Sequence, residues 1–240
     1  MAKLKVQLAK LGNLNTWLDV SKVSDWKSAL FEVLPEIDQY RLPTKAAGLQ
    51  WDFLDDQVSR ALPKKPKGDF LLVLTDSPLE GNYYMRRLPG NRVCISFFQI
   101  RDILAREDIP LENYVLKCIY EVLIYYTIAA NHGGQLPNSE ESYTHDETKG
   151  CLFDMAGNKT DIVVSCRAPI LCDTCYADLP KATVPTNFLD EIRRELRNVR
   201  LSTYAWLLHG VKRHPVLSIL ITAASGLLLN ILADLITRLF

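Results

Sequence analysis

The chain has 240 residues, with 28 basic and 28 acidic side chains and a formal net charge of zero. That length holds one substantial domain and an appendage, and the balanced charge gives no overall pull toward nucleic acid. Its six cysteines, with no secretory signal in the first residues, fit a reducing compartment in which thiols hold metal rather than pair as disulfides.

Met1 to Leu14 alternates Lys with apolar residues, which predicts a strand near Lys5–Leu11. A helix is expected from about Asp25 to Val33 with Ser24 as its N-cap. A second is expected over Leu49–Leu62, where Trp51, Leu54, Val58 and Leu62 recur at helical spacing. The Pro- and Lys-rich run from Pro63 to Gly68 is the turn that ends it. The apolar run Phe70–Thr75 reads as a buried strand, and Arg92–Phe98, after the Pro89-Gly90 turn, as its partner.

Leu111–Ala130 is apolar almost all round, which predicts a helix in the middle of the domain. Glu121 sits in it among Ile119, Val122, Leu123 and Ile124. A buried carboxylate needs a partner, and a buried Arg, a Tyr hydroxyl or backbone donors are expected to supply one. A polar loop from His132 to Glu141 follows, then a cysteine-rich segment, 143–178. Residues 187–209 predict an amphipathic helix with Leu189, Ile192, Leu196 and Val199 on one stripe and Arg193, Arg194, Arg197 and Arg200 largely off it.

From Pro215 to Leu232 no residue is charged. As a helix this run is about 27 Å long, close to the thickness of a bilayer core. Membrane association is the favoured expectation for residues 211–240, as a tail anchor with Arg193–Arg213 on the cytoplasmic side. Self-association through the small residues Ala223, Ala224, Ser225 and Gly226 is a second expectation, and packing on the soluble domain a third. Asn230 and Asp234 then call for polar partners.

Two cysteines separated by two residues, Cys172 and Cys175, can turn both thiolates onto one metal, and Cys₃His is a standard structural zinc set. The best four ligands are His145, Cys151, Cys172 and Cys175, with Cys166 and His132 competing for the fourth place. Cys166 lies in a stretch that reads as a strand with its thiol in the core, and Cys94 and Cys118 also read as core residues. Asp146, Glu147 and Asp154 read as surface or turn residues, and Asp154 or Asp161 could orient a zinc ligand from behind.

The stretches YVLKCIYEVLIYYTIA, KGCLFDMAGNKTDIV and ILCDTC, in this order after a hydrophobic strand, resemble the archaemetzincin branch of the zincin-like metallopeptidases over residues 68–180. The resemblance implies an α+β fold: a mixed sheet over a central buried helix, with a second, cysteine-bound structural zinc. In that family the central helix carries His-Glu-x-x-His. Carried over, the general base falls on Glu121, and the three histidine ligands fall on Tyr120, Ile124 and Ala130, none of which offers an imidazole. The resemblance thus implies that the catalytic zinc is lost and the structural zinc kept, with a histidine in place of one cysteine.

The expected layout is a zinc-binding domain over 1–183, a connecting helix over 187–210 and a hydrophobic tail over 211–240. The expected function is a non-catalytic pseudo-metallopeptidase domain in the cytoplasm. It would bind an unknown protein or small-molecule ligand, with the tail anchoring or assembling it in a membrane, as a homo-oligomer or a membrane effector. The alternative is an active zinc metallopeptidase using Glu121 with a non-standard site drawn from His132, His209 or His214. Nucleic-acid binding through a zinc ribbon is disfavoured by the zero net charge and the lack of interleaved basic and aromatic residues near the cysteines.

Overall fold

The chain's computed structural model describes residues 2–14, 18–131, 133–137, 143–200, 207 and 210–239. It divides into two units, Met1–Arg200 and Leu201–Phe240.

The first unit is a mixed α+β domain on a five-stranded sheet. Strands β1 (Leu4–Leu11), β2 (Phe31–Tyr40), β3 (Phe70–Thr75), β4 (Met85–Leu88) and β5 (Arg92–Ser96) lie in the order β2-β1-β3-β5-β4. All neighbours are parallel except β4 and β5, which run antiparallel. The continuous apolar runs become the central strands because both faces of a parallel sheet are covered, and every residue of β3 and β5 is buried. One face carries Ala9, Val73 and Cys94 side by side, packed under Val58 of α2 (Asp55–Ala61) and Leu62 just after it. Alternation sends Leu8, Leu72 and Val93 to the other face. There Arg87, paired with Val93, lies 4.0 Å from the ring centroid of Tyr125 on α4 (Leu111–Ala130).

Helix α4 forms over the expected residues and is buried along its length except at Tyr126 and Ala130. Its polar atoms are accounted for. The Tyr114 hydroxyl reaches the carbonyls of Tyr84 (2.9 Å) and Ser96 (3.1 Å), and the Asn113 amide donates to Cys166 O (3.0 Å).

Three sequence-based expectations are corrected here. The helix of the first lead-in segment is α1, Val20–Ser24, where Asp19 Oδ1 accepts from Ser21 N (3.2 Å); Ser24 ends this helix rather than starting one. Phe31–Tyr40, which begins inside the expected helix, is the edge strand β2. Its register against β1 slips between Val33 and Ile37, opposite Val6 and Leu8, and Pro35 sits in the slip, where its missing N–H removes no ladder bond. The second expected helix starts only at Asp55. Before it Trp51 is left-handed (φ 62°) and 83% exposed, so only Val58 and Leu62 of the anticipated stripe are buried. Cys166 lies not in a strand but in helix α5 (Ile162–Arg167), although its thiol is buried as expected.

The amphipathic segment forms α7, Thr186–Leu196, with Phe188, Leu189, Ile192 and Leu196 buried. Residues 201–206, 208 and 209 of the anticipated longer helix lie outside the described residues. On α7, Glu195 also points inward. Its carboxylate accepts from Ser28 Oγ (2.6 Å), Ala29 N (2.5 Å) and Tyr120 Oη (2.7 Å), joining α7 to the lead-in and to α4.

The second unit contains a helix over Pro215–Leu239 with exposed apolar side chains from Val216 to Leu229. Among the described residues no helix is long and apolar enough to cross a membrane. Of the side chains beyond Asn230, only that of Asp234 is described.

Glu195→Ala is expected to lower stability by about 2–4 kcal/mol, because two buried hydroxyls and the Ala29 amide lose their acceptor together. Urea unfolding of the full chain measures this, and a loss below about 0.5 kcal/mol would remove the carboxylate from its joining role.

Candidate metal centre

The segment that carries the metal-type residues has no regular strand and is shaped by short-range pairing. His145 N donates to Phe153 O (3.1 Å) and Met155 N to His145 O (3.0 Å), so the chain doubles back on itself. Gly150 turns the loop with φ 83°, a conformation that favours glycine. Beside it, Leu152 N donates to Ile170 O (2.8 Å) and Ile170 N to Gly150 O (2.9 Å). These bonds bring Cys151 against the approach to α6 (Asp173–Asp178), which Cys172 caps.

One turn of α6 then places Cys175 beside Cys172. The result is a cluster in which the ligand atoms of His145, Cys151, Cys172 and Cys175 all lie within 4.8 Å of one another. The three thiols are buried and free, and His145 is half-buried. Cys151 Sγ is 3.8 Å from Cys175 Sγ, far beyond disulfide length, and Cys172 Sγ is 3.5 Å from His145 Nε2. Around one zinc at ordinary bond lengths, tetrahedral geometry sets two thiolates about 3.8 Å apart and a thiolate and an imidazole nitrogen about 3.5 Å apart. The donor set and spacing therefore fit a zinc ion, and these four residues could hold one.

The backbone adds N–H groups aimed at sulfur: Cys172 N lies 3.4 Å from Cys151 Sγ, and Cys175 N 3.4 Å from Cys172 Sγ. Such donors favour thiolates. The Cys175 thiol, hydrogen-bonded to Cys151, holds Cys151 well below the ordinary cysteine range against the opposing effect of burial. Cys175 is itself pushed up by the same contact and then by burial.

Behind the histidine, Nδ1 lies 3.0 Å from Glu147 O and 3.7 Å from Asp154 Oδ1. Asp154, read from the sequence as a surface or turn residue, is in fact buried. Its Oδ2 accepts from Lys149 N (3.0 Å) and Gly150 N (2.6 Å), while its Oδ1 has no hydrogen-bond partner. Asp161 instead lies at the start of α5, accepting from Asn158 N (3.4 Å). Of the other candidates, Cys166, Cys94 and Cys118 are buried away from this cluster, and His132 and His209 lie outside the described residues. Among the described residues this is the one group of side chains that converges in a way suited to a metal.

The central helix presents a different chemistry. Among the described residues Glu121 pairs not with an Arg, a Tyr hydroxyl or backbone donors, but with Lys117 one turn earlier. The Lys117 Nζ–Glu121 Oε2 distance is 2.6 Å, with side chains 1% and 2% exposed. Lys117 also reaches Tyr84 Oη (3.2 Å) and lies 4.8 Å from the Tyr84 ring centroid. Burial works against the charge of Lys117, but Glu121 first and Tyr84 next raise its pKa well above the usual lysine range. Tyr120 donates to Glu195 and accepts from Trp26 Nε1 (2.9 Å). Ile124 is fully buried, and Ala130 is exposed.

No family model matches the chain, and no curated protein matches it. Among solved structures it is similar to a crystal structure of archaemetzincin from Methanopyrus kandleri. The identity is 18% over 75% of this chain and 96% of that chain, with a TM-score of 0.48.

Lys117→Met is expected to cost about 3–5 kcal/mol, because it leaves the Glu121 carboxylate buried without a cation. Adding Glu121→Met should recover most of that loss, since an apolar pair of similar volume replaces both charges. Urea unfolding of the single and double variants checks both steps, and a double variant no better than the single one would contradict the pairing.

Proposed function

We propose that the first unit is a zincin-like, non-catalytic domain, stabilised by a structural zinc on His145, Cys151, Cys172 and Cys175, that binds a protein or small-molecule partner. The observation that carries the non-catalytic reading is the closed state of the central helix. Hydrolysis by a zincin-type centre needs a metal-bound water and a free carboxylate to take its proton. Here Glu121 is held by Lys117 in a dry interior, and the neighbouring positions Tyr120 and Ile124 are committed to a hydrogen-bonded knot and to the core. The zinc reading rests on the ligand set and its spacing. When bound, zinc would supply a tetrahedral anchor that joins the loop at Cys151 to the start of α6.

The same reading puts the domain in the cytoplasm, beside a membrane with which residues 211–240 associate. Its support is the run of exposed apolar side chains from Val216 to Leu229, preceded by Lys212 and Arg213. The small residues Ala223 to Gly226 make about one turn of small side chains, at which copies of the helix could approach closely.

Elemental analysis of purified chain should find one zinc, and Cys175→Ser should lose it together with thermal stability. Two zincs, one of them surviving in Cys175→Ser, would reopen the peptidase alternative around Glu121. Glu121→Gln should leave any measured peptide cleavage unchanged, and abolition of cleavage in a folded variant would overturn the non-catalytic reading. Removal of residues 211–240 should abolish flotation with anionic lipid vesicles. If the shortened chain floats as well as the full one, the membrane reading fails.

A further inference from the structure

We propose that Asp154 is the positioning residue of the metal centre, its carboxylate bracing His145 from the Nδ1 side so that Nε2 meets the metal. The inference rests on the metal reading above and adds to it a residue that holds the ligands in place.

Asp154 is 2% exposed. One of its oxygens is fully used: Oδ2 accepts the backbone N–H groups of Lys149 and Gly150, which form the turn just before Cys151. The other, Oδ1, has no hydrogen-bond partner and lies 3.7 Å from His145 Nδ1. A buried carboxylate oxygen left without a donor is costly, so its surroundings need an explanation. The nearby Lys149 ammonium is engaged by Glu147. That leaves the imidazole as the group facing Oδ1.

The consequence for the histidine is a choice of tautomer. A proton on Nδ1 faces two acceptors, Glu147 O and Asp154 Oδ1. A proton on Nε2 would face the Cys172 sulfur, 3.5 Å away, and leave Nδ1 lone pair against carboxylate. The carboxylate thus favours the Nδ1–H form, whose Nε2 lone pair is directed toward the three thiols. Metal-ligating histidines are commonly fixed in this way by an outer carboxylate or carbonyl. Asp154 also joins two ligands that come from different strands of the loop. Oδ1 addresses His145, and Oδ2 fixes the turn that presents Cys151.

The test is a double-mutant cycle on the full chain, read as zinc affinity by competition with a chromophoric chelator. D154N keeps an oxygen for the Lys149 and Gly150 amides but sets an NH₂ group against His145 Nδ1–H. It should weaken zinc binding by about 10–100-fold in the parent chain. In a His145→Cys background, where no Nδ1–H exists, the same change should weaken binding by less than about threefold. Asp154→Glu, which keeps the charge but moves it by one methylene, is the second variant and is read through the same cycle should D154N fail to fold. Equal weakening in both backgrounds would make Asp154 a brace of the turn alone and overturn the proposal. Unchanged affinity in the parent background would overturn it too. A parent chain that binds no zinc would fail the metal reading itself, an outcome distinct from either of these.

Discussion

A carboxylate with no ion pair among the described residues holds the parts of this domain together. Glu195, near the end of α7, receives hydrogen bonds from Ser28, Ala29 and Tyr120, and Tyr120 in turn accepts from Trp26. Each bond alone is modest, but the cost of leaving the buried carboxylate and the buried Ser28 and Tyr120 hydroxyls unmatched is larger than the gain from making it. That asymmetry fixes the geometry. The lead-in can approach α4 only where its Ser28 hydroxyl and Ala29 amide meet the acid, and α7 can dock only with Glu195 turned inward. The apolar side chains of α7 supply the attraction, and the carboxylate decides the register.

The cysteine-rich segment follows another logic. Between α4 and α7 the described residues form only short helices and isolated bridges, with Leu152, Phe153, Ile162, Leu171 and Leu179 buried among them. With no sheet and no long helix to fix the backbone, its shape also depends on point contacts. Paired carbonyls and amides bring Cys151 to Cys172, and the Asp154 carboxylate gathers the turn just before Cys151. Four ligand atoms within 4.8 Å of one another complete it, and a metal held there would couple its own binding to the folding of the segment.

Much of this was legible in the residues. Continuous apolar runs marked β3, β5 and α4, because elements covered on all sides need no polar face. The cysteine spacing marked the ligand set, because the chemistry of a metal demands particular residue types in reach of one point. What stayed hidden were side chains whose role depends on distant partners. Strand β2 carries Glu32, Pro35, Glu36 and Asp38 and looks unlike a strand, yet at a sheet edge with a slip at the proline this composition is allowed. The Lys117–Glu121 pair stands one turn apart in plain view, but a lysine is so seldom buried that the acid was expected to find another partner. Glu195 sits among arginines on an amphipathic helix, where nothing local distinguishes an acid that turns inward. Asp154 likewise gives no local sign that it will be covered.

These hidden residues also explain why the central helix and the metal cluster have separate chemistries. A hydrolytic metal needs an open coordination position and water beside a free base. The interior around α4 provides the opposite, since the dryness that strengthens the Lys117–Glu121 attraction also excludes the water such a reaction consumes. Tyr120 and Ile124 fill that interior, one in the hydrogen-bonded knot with Glu195 and Trp26 and the other in the core. The metal-type ligands stand elsewhere, in a segment whose other contacts are few and where His145 remains partly open to solvent. On this reading the metal serves shape, joining the loop at Cys151 to the start of α6.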